Sequence, residues 1–263
     1  MYIRKKILFL FPLIFSLSVL SSDIEEIIVK GEYREKSLGE EDSSIVVIQS
    51  EQIKSQAIKH FQQLSHLVPN LNYAASDSRA RYFQIRGIGE RSGYQGTPNS
   101  SVGFLIDDID YSGQGGIATL FDVDQVEVFR GPQGSRSGAN ALAGLIYIKT
   151  KDPTEKFEGT SELTLGDYGT QNIGIAFGGP MQNKKLKYRL VLRTDYADGF
   201  RKNIYLNKSD TSKKDELTLR YKLNWELNET TNLDFLVSKV DMDDPADIWT
   251  CLLYTSDAAD EHS

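Results

Sequence analysis

The sequence predicts an α+β domain followed by the start of an antiparallel transmembrane β-barrel, with about five strands of a barrel that would number about 22 in the complete protein. Three observations predict it. An export leader is followed by no apolar run long enough for a membrane-crossing helix, so an exported chain that stays in a membrane must cross with strands in a closed barrel. From Phe157 onward the chain alternates apolar and polar residues with a period of two over long stretches. Between these regions, Asp122 to Thr150 (DVDQVEVFRGPQGSRSGANALAGLIYIKT) sets two strands on either side of a Gly/Ser/Ala-rich connection, whose glycines let the backbone fold tightly in a confined space.

Residues 1–22 read as a signal peptide: Arg4, Lys5 and Lys6 form a basic start, Ile7 to Leu20 an apolar stretch interrupted by serines, and Ser21 or Ser22 the small residue before cleavage. Residues 23–44 follow, beginning with Asp23-Ile24-Glu25-Glu26-Ile27-Ile28-Val29-Lys30-Gly31, a β-branched segment carrying two carboxylates and fit to add as a strand to a partner's sheet edge. The plainer reading is an ordinary first strand of the next domain. A polar connector, Glu32 to Ser44, leads into a small mixed domain over 45–152. Ile45 to Ile48 reads as a strand, Ser50 as a helix N-cap, and Phe61, Leu64 and Val68 as one face of a helix ending at Pro69. His60 and His66, six apart, do not share a helical face at metal-ligand spacing and read as packed or solvated histidines.

Two stretches carry a family resemblance. The Asp122–Thr150 run, with Arg130-Gly131-Pro132 between a valine-containing strand and a glycine-rich turn, resembles the plug domain of TonB-dependent outer-membrane receptors, and so do Phe83-Gln84-Ile85-Arg86-Gly87-Ile88-Gly89 and the strand Val102 to Asp108 in that order. A dinucleotide site is the competing reading of Gly87-Ile88-Gly89, but the third glycine, Gly93, comes one position late and no long helix follows. The resemblance implies that 45–152 is the plug and that Ile24, Glu25, Glu26, Ile27, Ile28 and Val29 form the TonB box, which engages TonB and its inner-membrane energising complex. It further implies that Arg86 and Arg130 lock the plug to glutamates on the inner barrel wall, a guanidinium fork being suited to carboxylates. Pairing within the plug is the plainer alternative for both arginines.

The barrel portion is expected over 153–250. Leu163/Leu165, Ile173/Ile175/Phe177, Leu186/Tyr188/Leu190/Leu192, Leu217 to Trp225 and Leu233/Phe235/Val237 define apolar faces opposite Glu162, Arg189, Arg193, Arg220, Lys222 and Asp234. Tyr188 and Tyr196 lie about 27 Å apart along a strand, and once the strand is tilted this matches the height between two aromatic girdles. Gly179 to Lys185 and Leu227 to Thr231 are then short periplasmic turns, and Asp198 to Lys214 an outer loop. Residues 251–263 are expected to be foreign, because Cys251 to Glu261 (CLLYTSDAADE) equals a one-frame translation of a transposase library adapter.

Cys251 is the single cysteine, so the exported chain offers no disulfide framework or thiolate metal site. The net charge of −7, without basic stripes, argues against nucleic acid. No catalytic constellation is visible, and no cofactor or resident metal is expected: Asp107, Asp108 and Asp110 read as carboxylates at a strand-to-turn junction. The function implied by the resemblance is import of a scarce extracellular ligand into the periplasm of a Gram-negative bacterium by a monomeric receptor in outer-membrane lipid. Ferric siderophores are the commonest substrate class of the family, and Arg91, Tyr94, Gln95, Asn99 and Tyr111 in two turn-rich segments are the candidate ligand contacts. A non-transporting surface receptor or adhesin is the alternative.

Overall fold

The chain is a computed structural model that describes residues 26–31, 36–75, 79–92, 99–181, 184–203 and 207–244. The expected leader, Ile24 and Glu25 of the TonB segment, Tyr94, Gln95 and the 251–263 tail lie outside the described residues. No helix among the described residues is long and apolar enough to cross a membrane.

Chain order begins with two short strands, β1 (Ile28–Val29) and β2 (Lys36–Ser37), paired antiparallel. The plug follows: β3 (Ile45–Gln49), helix α1 (Ser50–Ser55), β4 (Leu71–Ala75), β5 (Ala80–Ile85), β6 (Val102–Ile106), β7 (Ile109–Asp110), β8 (Val123–Phe129), the single-turn helix α2 (Gly134–Ser137) and β9 (Gly144–Thr150). Its sheet has the order β3-β8-β9-β6-β7, with β6 and β9 parallel and the other pairs antiparallel, while β4 and β5 form a separate hairpin. Both central strands are buried on both faces. On one face Phe61, Phe83 and Phe104 meet with ring centroids 5.0 to 5.4 Å apart, two edge-on contacts and one stacked, at the heart of the main core. On the other face Leu105, Phe129, Leu145 and Tyr147 close over Val29 of β1.

The single helix expected from Ser50 to Val68 is two pieces. Ser50 is the first residue of α1 rather than its cap, which is Gln49. Ala57, in the left-handed region at φ 52°, stops the helix, and a 3₁₀ helix over Phe61–Leu67 starts afresh behind His60. His60 is buried: its Nδ1 accepts from the Gln62 N–H at 3.2 Å, and Nε2, assigned as the protonated nitrogen by this network, donates to Gly116 O at 2.9 Å. Reading apolar spacing alone misses such a break, because both pieces bury the same face.

Beyond the plug come β10 (Glu158–Leu165), β11 (Gln171–Pro180), β12 (Leu186–Ala197), a small hairpin of β13 (Arg201–Asn203) and β14 (Lys208–Thr211), β15 (Lys214–Asn228) and β16 (Thr231–Met242). The five long strands form one antiparallel sheet in the order β10-β11-β12-β15-β16. Along β12 Lys187, Arg189, Val191 and Arg193 are buried, Arg189 and Arg193 against Asp122 and Phe121 of the plug, while Leu192 and Tyr196 are exposed. Trp225, Leu233, Phe235 and Val237 continue the exposed apolar face, and Phe177 meets Tyr188 edge-on at 6.4 Å near one rim. The expected outer loop carries the β13–β14 hairpin, and the expected short turns connect β11 to β12 and β15 to β16.

Candidate functional site

The first site is where the N-terminal segment meets the plug. An unpaired strand was expected here; the described part is docked. Ile28 and Val29 pair with Ser37 and Lys36, the Leu38 N–H donates to Ile27 O at 2.8 Å, and Val29 is fully buried. The backbone N–H groups of Lys30 and Gly31 donate to the two oxygens of Glu127, Oε1 at 2.7 Å and Oε2 at 2.8 Å. Gln125 Nε2 donates to Ile28 O at 2.8 Å and also to Glu127, and Lys30 Nζ reaches Asp124 at 2.6 Å. The closeness requires glycine at 31: a Cβ there would lie 2.7 Å from both Glu127 Oε2 and Phe129 Cε2. Burial pushes the Glu127 carboxyl above its ordinary range, against the opposing pull of the Lys30 and Gly31 N–H groups and Gln125.

The second site is the seam between plug and wall. Asp122 sits just before β8 at φ 60° and is held by Arg189 of β12 in a two-pronged ion pair, Nε to Oδ2 at 2.7 Å and Nη2 to Oδ1, with both side chains buried. Arg220 of β15 donates from Nη2 to Phe121 O at 3.3 Å and Asp122 O at 3.2 Å. The Phe121 ring fills the place a side chain at Gly174 of β11 would occupy, a Cβ there coming within 2.7 Å of the ring, and Arg193 lies over the ring at 5.4 Å. Next along the seam, Lys222 Nζ bonds Thr150 O at 3.1 Å, Asp152 at 3.0 Å and Asp107 at 3.0 Å. Further ion pairs join Lys59 to Glu162 and Arg79 to Glu216.

The residues singled out from sequence fall in several places. Arg86, at φ 52°, is exposed, Arg130 is half-buried, and among the described residues neither has an ion-pair partner. Arg91 and Asn99 are exposed, and Glu90 Oε1 accepts from the Ser101 N–H at 2.9 Å. Tyr111 is half-buried against the main core. Of the three clustered aspartates, Asp107 accepts from the Thr150 N–H at 2.9 Å, Asp108 pairs with Arg136, and Asp110 caps the Ser112 N–H at 2.8 Å.

Sequence reading missed Glu127, Gln125 and Asp122. A signal existed: Gln125 and Glu127 are polar residues inside a strand otherwise apolar on both faces, which demands buried partners. Arg189, Arg193, Arg220 and Lys222 were read as the polar barrel face; the acidic counterparts of Arg189, Arg220 and Lys222 lie in the plug, remote in sequence, while Arg193 pairs with Glu162 and Asp195 of the wall.

A mixed sheet seated by buried ion pairs against the inner face of an antiparallel wall whose outer face is apolar defines a plugged barrel of the outer-membrane type. Residues 37–145 match the family model described as the TonB-dependent receptor plug domain, and the five-stranded wall follows them. The pesticin receptor of Yersinia enterocolitica is 26% identical over 157 residues, which is 59% of this chain and 23% of that protein. The crystal structure of the ferric yersiniabactin uptake receptor FyuA from Yersinia pestis superposes with a TM-score of 0.67 at 23% identity, covering 75% of this chain and 31% of that one. The ferripyoverdine receptor of the outer membrane of Pseudomonas aeruginosa also gives a TM-score of 0.67, at 20% identity, covering 82% of this chain and 27% of that one. The chain thus spans about a quarter of the length of these relatives.

Proposed function

We propose that this chain is the plug-bearing part of an outer-membrane transporter that binds a ferric siderophore at the cell surface and imports it into the periplasm with energy relayed by TonB. The reading is of a receptor and not of an enzyme. The observation that carries it is the docked N-terminal segment: a short strand held on the plug by a carboxylate and an amide is positioned to be handed to a partner's sheet edge. In this reading Ile24 to Val29 contact TonB, Arg86 and Arg130 lock to glutamates of the remaining wall, and Arg91, Tyr94, Gln95, Asn99 and Tyr111 line the ligand's approach. The chelate class follows from the receptors of ferric yersiniabactin and ferripyoverdine that this chain resembles. Residues 1–22 direct export, and the exposed apolar face of β10 to β16 contacts lipid around a monomeric barrel.

The test is accumulation of iron-55 supplied as ferripyoverdine, ferric yersiniabactin or ferrioxamine B, by cells lacking their own siderophore receptors and expressing the full-length receptor, with and without TonB. Accumulation that requires both receptor and TonB supports the reading. Surface binding without TonB-dependent accumulation would replace it with a non-transporting receptor.

A further inference from the structure

We infer that β8 is a fixed strut of the plug with two separable attachments, a standing anchor to the barrel wall at Phe121–Asp122 and a releasable clamp on the N-terminal segment at Glu127. One contact lies at the entry to β8 and the other within it, five residues or about 17 Å apart. They differ in kind. At the anchor, two guanidinium groups from two different wall strands converge on Asp122 and its neighbouring carbonyl, and the Phe121 ring occupies a recess that exists because residue 174 is glycine. The anchor is reinforced where the plug joins the wall, since the Lys151 N–H donates to Asp122 O at 3.1 Å and Lys222 bonds Thr150 O. Charged partners on both sides, nearly all of them removed from water, make this contact costly to open one side at a time.

The clamp is slighter: beside it stand only the partly exposed Lys30–Asp124 ion pair and the buried Val29 side chain. One carboxylate accepts two backbone N–H groups, one amide holds one carbonyl, and the strand it retains pairs over only two residues. The groups released from Glu127 and Gln125 are backbone N–H and C=O that another strand edge can satisfy in the same way, and the Lys30 ammonium released from the partly exposed Asp124 passes to water, so transfer to a partner sheet leaves no buried polar group unpaired on the segment. A pull on the segment while the clamp holds runs along β8 to the wall. Once the clamp opens, the segment leaves and β8 stays.

The inference rests on the import reading only for the direction in which the segment is drawn, and its test needs neither TonB nor a ligand. A nitroxide is placed at position 27 of the full-length receptor in an otherwise cysteine-free background, and its line shape is read beside the vancomycin sensitivity of the cells. Glu127→Ala should raise the mobile fraction of the label roughly tenfold, and Gly31→Ala should do the same from the other side of the contact by displacing the segment while leaving Glu127 intact. Both should leave vancomycin sensitivity at the parent level. Asp122→Asn and Arg189→Ala should do the reverse, sensitising cells roughly tenfold in receptors that assemble normally, with the label still immobile. Heat-modifiable migration checks assembly. Both pairs of variants moving both readouts together would overturn the separation, and an immobile label in Gly31→Ala would overturn the clamp.

Discussion

A carboxylate in the middle of a buried strand is costly unless several donors converge on it, and at Glu127 three do, two of them from a segment almost a hundred positions earlier. The local pattern of Gln125 and Glu127 was open to view, but their partners were not, because nothing in a two-residue alternation says which distant backbone will arrive. Ile27, beside this clamp, offers its carbonyl to Leu38. Replacing Ile27 with proline removes an N–H and fixes φ, so iron-55 uptake in the full-length receptor should fall to the level without TonB while whole-cell binding of the same chelate persists. Unchanged uptake would make the segment an ordinary plug strand. His60 gives a second prediction at this scale. Burial, with Arg79 and Lys214 nearby, holds its pKa well below the usual 6.5, so the folded plug keeps the ring neutral where the unfolded chain would protonate it. Its contribution is therefore present above about pH 6.5 and lost as pH falls, at about 1.4 kcal/mol per pH unit. Urea unfolding of the isolated plug, residues 23–152, which keeps Arg79 but not Lys214, should show lower stability at pH 5.5 than at pH 7.5 from this group, and His60→Asn should remove that slope.

At the scale of elements, the long strands were readable because a wall wetted on one face and apolar on the other writes its period into the chain, and β12 repeats it over twelve residues. The helix after Ser50 was not, since a left-handed Ala57 and a histidine cap break it without disturbing its apolar face. The seam was half-legible: the basic residues of β12 and β15 were placed on the polar face, but a plug that is itself acidic along Asp107, Asp122 and Asp152 was needed to explain them. At Asp107, Asp122 and Asp152 the basic groups are on the wall and the acidic groups on the plug, whereas Arg79–Glu216 and Lys59–Glu162 have the polarity proposed for Arg86 and Arg130. If those two arginines lock the rest of the plug, the Arg86→Ala/Arg130→Ala double variant should raise single-channel conductance and antibiotic permeability in normally assembled barrels. Parent values in both measurements would confine the arginines to the plug's own structure.

For the molecule as a whole, β10 and β16 are the two ends of the wall sheet, each paired on one side only among the described residues, with an apolar outer face and a plug gripped from one direction. Lipid cannot satisfy such edges, and in water they stand beside an exposed apolar face as a template for aggregation. The 263-residue chain by itself should accordingly yield no heat-stable conducting barrel in detergent or bilayers, and recovery of one would overturn this view of the wall. The account's central claim is that the segment leaves the plug so that import can proceed, and it is tested most directly by preventing departure. In the full-length receptor, Lys30→Cys and Asp124→Cys, whose parent side chains meet at 2.6 Å beside the Glu127 contact, are joined by a short bis-methanethiosulfonate bridge, and TonB-dependent iron-55 uptake from ferripyoverdine, ferric yersiniabactin and ferrioxamine B is measured before bridging, after it, and after reduction. The account predicts uptake that stops on bridging and returns with the reductant while surface binding stays constant; a bridged receptor importing at the unbridged rate would contradict it.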